Sequence, residues 1–257
     1  MAAALDALRW SVGLLSVVPA GRLPELTPRT AGRAMVLAPV AVVPLGLVAG
    51  LVLAGAGAVG LPGLVAGLLT VSALALGTRA MHLDGLADTV DGLGAGWDRE
   101  RALAVMRRGD VGPMGAIALV LVLGLQAVAL AALPTTLMGA LAVLLLVCAS
   151  RGSLVLVCRR GVPAARPDGL GRLVAGSVGP VGVLVVGLGS VALVVAAAAI
   201  AGRPWWQGLA ASGLAGLVVA GLVAHGVRRL GGVSGDVMGA SVEAAFAALL
   251  VGLAAAP

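Results

Sequence analysis

A short acidic segment, His82 to Gly92, holds the residues best suited to chemistry in this 257-residue chain. Its sequence, HLDGLADTVDG, places Asp84, Asp88 and Asp91 at positions i, i+4 and i+7, which share one face of an α-helix. Three carboxylates on one face repel one another unless a counter-charge is present. Hard divalent cations prefer carboxylate oxygens and complete their shells with water and substrate phosphates. We therefore predict that these aspartates are metal ligands and catalytic residues in phosphoryl-group chemistry.

The competing interpretation is a solvated acidic helix end, neutralised by Arg79, Arg99 and Arg101. The position of the segment argues against it, because carboxylates at the mouth of a membrane span are costly without a partner. His82 lies more than about 100° from the aspartate face on a regular helix. We predict that His82 contacts substrate. The alternative roles for it are a catalytic base and an interfacial residue.

Three arginines are candidates to contact an anionic substrate. Arg151 stands inside a long apolar run, where a charge indicates a functional site unless it forms a structural ion pair. Asp98 is predicted to cap a short helix from Arg99 to Arg108. On that helix Arg101 and Arg107 are free to bind phosphate, or else to extend toward lipid headgroups.

Asp236, in the glycine-rich segment Gly231 to Asp236, is the remaining candidate. We predict that it contributes to substrate binding, and it is also a candidate to complete the metal site. The alternative is a turn that caps the following helix, with Ser234 or Asp236 as the N-cap.

The elements that position these residues are predicted to be membrane helices. The chain is 60% hydrophobic and 11% charged, unlike soluble proteins, in which about a quarter of the residues are charged. Seven segments are apolar and long enough to approach the roughly 20 residues that cross a bilayer. We predict an all-α bundle with spans at Ala34 to Ala56, Leu61 to Thr78, Met114 to Leu133, Leu137 to Cys158, Val178 to Ala201, Trp206 to Val227 and Ala240 to Ala256.

The arginines give this topology an orientation. They lie before the first segment, between the second and third, after the fourth and after the sixth, whereas the opposite connections contain only Arg203. Because short cytoplasmic loops are enriched in Lys and Arg, the pattern predicts a cytoplasmic N-terminus and an outward C-terminus. The acidic segment then faces the cytoplasm.

Several other function classes are disfavoured. The net charge of +6 does not indicate nucleic acid, since the arginines are spread among short loops and few aromatic residues accompany them. Cys148 and Cys158 are predicted to be inert core thiols. The segment from Ala2 to Ala20 lacks a basic start and contains Asp6 and Arg9, so an interfacial or re-entrant helix is favoured over a signal peptide. His225 is predicted to be a core residue.

The quoted residues resemble the cobalamin synthase family, the adenosylcobinamide-GDP ribazoletransferases. The segment from His82 to Gly92 is similar to the most recognisable motif of the family. Further similar elements follow in order and cover most of the chain: Asp98-Arg99, Met106-Arg107, Gly112 to Gly115, Ser150-Arg151-Gly152, Gly235-Asp236, Gly239-Ala240 and Glu243.

The resemblance implies a multi-pass enzyme of the inner membrane that uses magnesium. A ribose hydroxyl of α-ribazole, or of its 5′-phosphate, attacks the phosphate on the cobinamide side chain, and GMP leaves. In this interpretation Asp84, Asp88 and Asp91 surround Mg²⁺, one of them is a candidate to receive the hydroxyl proton, and Arg151 contacts phosphate. The lipid bilayer and the two substrates are the expected partners, nucleic acid is not, and a homo-oligomer is compatible with the sequence.

Two alternative functions remain at this stage. A phospholipid synthase of the CDP-alcohol phosphotransferase type also uses spaced aspartates, but its motif has an arginine directly after the alanine, where this chain has Asp88. A secondary transporter would use Arg151 and Glu243 as coupling charges. No inverted repeat is visible in the sequence, and a transporter leaves the three aspartates without a purpose. We predict one membrane domain, residues 1–257.

Overall fold

The computed structural model describes residues 2–255, and the side chains of residues 3–255. This part of the chain is helical and contains no β-strand, only two isolated bridges between loops. The helices in chain order are α1 Ala2–Leu15, α2 Pro28–Ala41, α3 Val43–Ala58, α4 Gly63–Gly77, α5 Met81–Gly94, α6 Arg99–Val105, α7 Pro113–Ala131, α8 Leu137–Arg151, α9 Ser153–Val157, α10 Gly169–Val174, α11 Pro180–Ile200, α12 Trp205–Leu230 and α13 Gly235–Ala254.

Six helical stretches in the described chain are long and apolar enough to cross a membrane, and the bent pair α4 and α5 provides up to a seventh. The prediction of an all-α, multi-pass membrane bundle is therefore confirmed. The last span begins five residues earlier than predicted because Ser234 caps it, and the predicted end at Ala256 lies outside the described residues. The six stretches are Pro28–Ala58, Pro113–Ala131, Leu137–Val157, Pro180–Ile200, Trp205–Leu230 and Gly235–Ala254.

The second predicted span, Leu61 to Thr78, has a different form from the others. Its helix α4 has 15 residues, and at about 1.5 Å per residue it extends over roughly 22 Å, which is short of the apolar thickness of a bilayer. The chain then turns by 92° into α5. Arg79 and Ala80 make this turn with φ values of 56° and 54°, in the left-handed region that residues with a Cβ rarely adopt. The turn therefore depends on surrounding structure to hold it.

The predicted N-terminal interfacial helix is α1, which packs against α2. The segment after α1 also supports the turn between α4 and α5. The Val17 N–H donates to the carbonyl of Gly77 at 2.8 Å, and the Arg79 guanidinium donates to the carbonyl of Gly13 at 3.3 Å. The N-terminal segment thus supports the start of the helix that carries the acidic motif.

Helices α8 and α13 lie in the middle of the bundle, with most of their residues buried, whereas less than a third of the residues of α7, α11 and α12 are buried, as is typical of helices that face lipid. Small residues allow the central helices to pack closely. At Gly50, on α3, an added Cβ would overlap the carbonyl oxygen of Ala140 on α8. At Gly55, on the same helix, an added Cβ meets no atom within 4 Å.

These two glycines provide a matched test of the packing. We expect Gly50→Ala to lower the free energy of unfolding by about 1–3 kcal/mol, because the two backbones must separate. Gly55→Ala should leave it unchanged or raise it slightly, since alanine favours helix. Thermal unfolding in detergent, followed by circular dichroism, compares the two variants. Equal midpoints for both would contradict this packing of α3 on α8.

Candidate functional site

The acidic motif lies on α5, which crosses one end of the bundle over the beginnings of α7 and α13. At Gly85 an added Cβ would lie 2.7 Å from the backbone oxygen of Asp236, in the first turn of α13. At Gly239, one turn further along α13, it would lie 3.1 Å from the backbone of His82. Helix α5 turns by 92° from α4 and contacts the first turns of these two spans, so its aspartates lie at their ends.

Asp91 joins α5 to α7. One carboxylate oxygen accepts the N–H of Gly112 at 2.8 Å, and the other accepts the N–H of Gly115 at 2.9 Å. Gly112 is the N-cap residue of α7 and has no side chain to satisfy these groups. A carboxylate at this place also complements the positive end of the helix dipole. Asp91 therefore caps α7 from a neighbouring helix, a contact that the prediction of a metal ligand did not include.

Asp84, Asp88 and Asp236 form what we call the acidic group. Asp84 is exposed, Asp88 is buried, and Asp236 approaches them from α13. The pKa of Asp88 is raised to about 6, first by burial and then by the charges of Asp84, Asp236 and Asp91. These carboxylates thus keep an unbalanced negative charge, which a cation would neutralise.

The chemistry of the acidic group suits a hard divalent ion. Among the described residues, no three His, Cys, Asp or Glu side chains are arranged as a ready metal site. Mg²⁺ does not require one, because it is usually held by one or two carboxylates together with water and substrate phosphates. Asp84, Asp88 and Asp236 could supply such carboxylates, whereas both oxygens of Asp91 already accept N–H groups.

Asp236 has partners at the start of α13. Ser234 is the N-cap of this helix and accepts the N–H of Val237, so one of the two predicted capping alternatives is present. The Ser234 hydroxyl also donates to the Asp236 carboxylate at 3.1 Å. The same carboxylate oxygen lies 3.5 Å from Arg166, a residue outside the predicted site.

A second polar cluster lies beneath the acidic group, inside the bundle. Gln126 on α7 donates to the Glu243 carboxylate at 2.8 Å, and His82 Nδ1 lies 3.9 Å from the other Glu243 oxygen. Arg151 is fully buried near Glu243 and donates to the Ser150 hydroxyl at 2.8 Å. This burial favours a counter-charge for Glu243 over the predicted phosphate contact.

Two cavities open around α5, α10 and α13, and a third opens beside α6. A cavity of about 160 Å³ is lined by His82, Asp84 and Asp236. The substrate contact of His82 remains a prediction, and this cavity leaves space for a ligand beside the residue. Another of about 190 Å³ is lined by Arg166, Ser234 and Asp236. The third, which we call the basic cavity, measures about 290 Å³, and its charged residues are Arg99, Glu100, Arg107 and Arg166.

The short helix predicted from Arg99 to Arg108 is present as α6, and Asp98 caps it, but it ends at Val105. Of the two predicted substrate contacts, Arg107 follows the helix in a turn and lines the basic cavity, whereas Arg101, on the helix, is exposed and does not line it. Arg99 donates to the carbonyls of Leu230 and Ala165 at 2.8 and 2.9 Å. It therefore joins α6 to the end of α12 and to the segment before α10.

Sequence reasoning missed three features: the cap on α7, the complete burial of Arg151 and the contact of Arg166 with Asp236. One signal for the cap was available. Gly112-Pro113 begins a long helix without a capping side chain of its own, so a carboxylate from elsewhere was to be expected. Cys148 and Cys158 are free and buried, as predicted.

The fold and the site define a multi-pass helical membrane protein that gathers carboxylates and arginines at one end of its bundle. The chain belongs to the cobalamin-5-phosphate synthase family, whose model matches residues 7–254. The predicted family is thereby confirmed.

Curated relatives are similar to nearly the whole chain. An adenosylcobinamide-GDP ribazoletransferase from a Nocardioides species is 50% identical over 97% of this chain and 99% of its own length. Proteins of the same name from Frankia casuarinae and Bradyrhizobium diazoefficiens are 40% and 36% identical, over 96% and 91% of this chain and 93% and 87% of their own lengths. No solved structure matches the chain significantly.

The different surroundings of Asp91 and Asp84 predict different effects on stability. Asp91→Ala removes the partner of two N–H groups, of which that of Gly115 is buried, and should lower the free energy of unfolding by about 1–3 kcal/mol. Asp84→Ala should change it little, because this side chain is exposed. Thermal unfolding in detergent with EDTA present measures both. If the two variants unfold at the same temperature, Asp91 does not cap α7.

Proposed function

We propose that this chain joins adenosylcobinamide-GDP to α-ribazole, or to α-ribazole 5′-phosphate, and releases GMP. The product is adenosylcobalamin or its 5′-phosphate, so the reaction assembles the nucleotide loop of cobalamin. The name shared by relatives of nearly full length supports this activity. The structural observation that carries it is the acidic group of Asp84, Asp88 and Asp236 next to a cavity lined by arginines.

The reaction is a displacement at phosphorus. A ribose hydroxyl oxygen forms a new bond to the phosphorus attached to cobinamide, the P–O bond to the GMP portion breaks, and the hydroxyl proton passes to a carboxylate. Two of the three carboxylates of Asp84, Asp88 and Asp236 would hold Mg²⁺, which when bound neutralises charge on the two phosphates. Arg107 would bind the departing nucleotide phosphate from the basic cavity. The remaining carboxylate of the acidic group would accept the proton.

Asp91 has a supporting role in this proposal. Its two hydrogen bonds hold α5 against α7, so it orients Asp84 and Asp88 without needing to touch the ion. Arg151 and Glu243 likewise act from below the site. Their opposite charges would attract each other in the interior, between α8 and α13 and beneath the place where α5 crosses.

We further propose that the site faces the cytoplasm in a bacterial inner membrane. The connections that precede α2, α7 and α11 are long and contain nine of the seventeen arginines, and Arg228 and Arg229 end α12 just before the short connection to α13. All four connections would lie at the same end of the bundle as α5. Cytoplasmic connections are the ones enriched in basic residues. Both substrates would then reach the acidic group from the cytoplasm.

The direct test uses purified protein in liposomes with Mg²⁺, adenosylcobinamide-GDP and α-ribazole. We expect GMP and a cobalamin product to form in equal amounts, and formation to stop when EDTA is added. Asp84→Asn and Asp88→Asn should each lower kcat by at least about a hundredfold, because they remove a ligand charge. Asp110→Asn, an exposed residue of the connection to α7, is the matched control and should stay near wild type.

Other outcomes would contradict the proposal. Consumption of CDP-diacylglycerol with an alcohol acceptor, and no GMP from the corrinoid substrate, would indicate a phospholipid synthase. Substrate uptake into liposomes that both aspartate variants retain in full would indicate a transporter. Activity near wild type in Asp84→Asn and Asp88→Asn would remove the metal assignment.

A further inference from the structure

Arg166 lies between the acidic group and the basic cavity, and the proposed reaction assigns it no step. It belongs to the segment between α9 and α10 and lines both the cavity that contains Asp236 and the cavity that contains Arg99 and Arg107. A side chain in this place can reach groups on either side. Its contacts in the absence of ligand therefore indicate what it does when a ligand is present.

The guanidinium of Arg166 is poorly satisfied. Its contact with Asp236 is a single long one, from Nη2 to Oδ2 at 3.5 Å, and this oxygen already accepts the closer Ser234 hydroxyl. The buried Nε has no hydrogen-bond partner among the described residues. An arginine can donate two parallel bonds to a carboxylate or a phosphate, and here it donates only a weak one.

The backbone around Arg166 is held firmly, in contrast to its side chain. The Ala165 N–H donates to the carbonyl of Val233 at 2.9 Å, and the Val233 N–H donates to the carbonyl of Pro163 at 2.9 Å. The Ala165 carbonyl also accepts a bond from Arg99 at 2.9 Å. The Cα of Arg166 is thus fixed relative to both cavities, and a change of side-chain rotamer is enough to move its charge between them.

Arg166 also provides a positive charge to the acidic group, where it interacts favourably with Asp88 and Asp236. A divalent cation bound there would supply the same compensation and would repel the guanidinium. The basic cavity next to it, with Arg99 and Arg107, suits an anion such as a nucleotide phosphate.

We propose that Arg166 supplies a positive charge to the acidic group while no cation is bound there. When a divalent cation binds, the Arg166 side chain turns to the nucleotide phosphate. This inference rests on the proposed function for the identity of the phosphate. It makes Arg166 a substrate-binding residue and, before substrate arrives, a competitor of the cation. Removal of its charge should therefore have opposite effects on the two ligands.

The test measures Mn²⁺ and GMP binding separately, using full-length protein in detergent. Titration of free Mn²⁺ by electron paramagnetic resonance, without nucleotide, should show binding at least threefold tighter in Arg166→Gln than in wild type. Calorimetric titration of GMP in saturating Mn²⁺ should show binding about tenfold weaker, and the KM for adenosylcobinamide-GDP should rise by a similar factor. Arg166→Lys keeps the charge, so its Mn²⁺ affinity should stay near wild type while GMP binding weakens.

Arg172→Gln is the matched control, since it removes the same charge from an exposed position on α10 that lines neither cavity. It should bind Mn²⁺ and GMP as wild type does. The inference is overturned if Arg166→Gln weakens Mn²⁺ binding, or if it leaves both affinities equal to those of the control. A wild-type protein that forms no product would refute the proposed function, whereas the Mn²⁺ titration would still decide the role of Arg166.

Discussion

The crossing of α5 over the beginnings of α7 and α13 is the constraint on which the site depends. Gly85 allows the backbone of α5 to lie directly on that of Asp236, and Asp91 replaces the missing cap of α7. Without the first contact, Asp236 would stand away from Asp84 and Asp88. Without the second contact, α7 would lose its hydrogen bonds to α5, and α5 would no longer connect α7 with α13. One short helix thus assembles carboxylates from distant parts of the chain.

This arrangement places charge where a membrane bundle can tolerate it. The acidic group lies at the end of the spans, where water and ligands can compensate the charge, whereas Arg151 and Glu243 lie in the interior, where Arg151 donates to Ser150 and Glu243 accepts from Gln126. A buried charge that loses its hydrogen-bond partner is strongly destabilising. The buried cluster therefore joins α7 to α13 under the site, and the acidic group remains available for ligands.

Local features of the site and fold could be predicted from the sequence. The face shared by Asp84 and Asp88 follows from helical periodicity, the cap at Asp98 from a residue type and its neighbours, and six spans from apolar length. Features that depend on packing between distant elements could not be predicted. The way in which α13, α10 and α8 meet determines three such features. They are the approach of Asp236 to α5, the contact of Arg166 with Asp236 and the burial of Arg151. Asp91 is an example of this difference. Its spacing predicts that it shares a helix face with Asp84 and Asp88, but the position of α7 determines what its carboxylate binds.

The position of a bound divalent ion tests the central claim most directly. A structure of the protein with Mn²⁺ and GMP, solved with anomalous diffraction at the manganese absorption edge, would locate the ion without reference to activity. We predict one or more manganese peaks within about 2.5 Å of carboxylate oxygens of Asp84, Asp88 or Asp236, with Asp91 still bound to the N–H groups of Gly112 and Gly115. A peak held by Asp91 with α7 uncapped, or no peak at the acidic group at saturating Mn²⁺, would contradict this prediction.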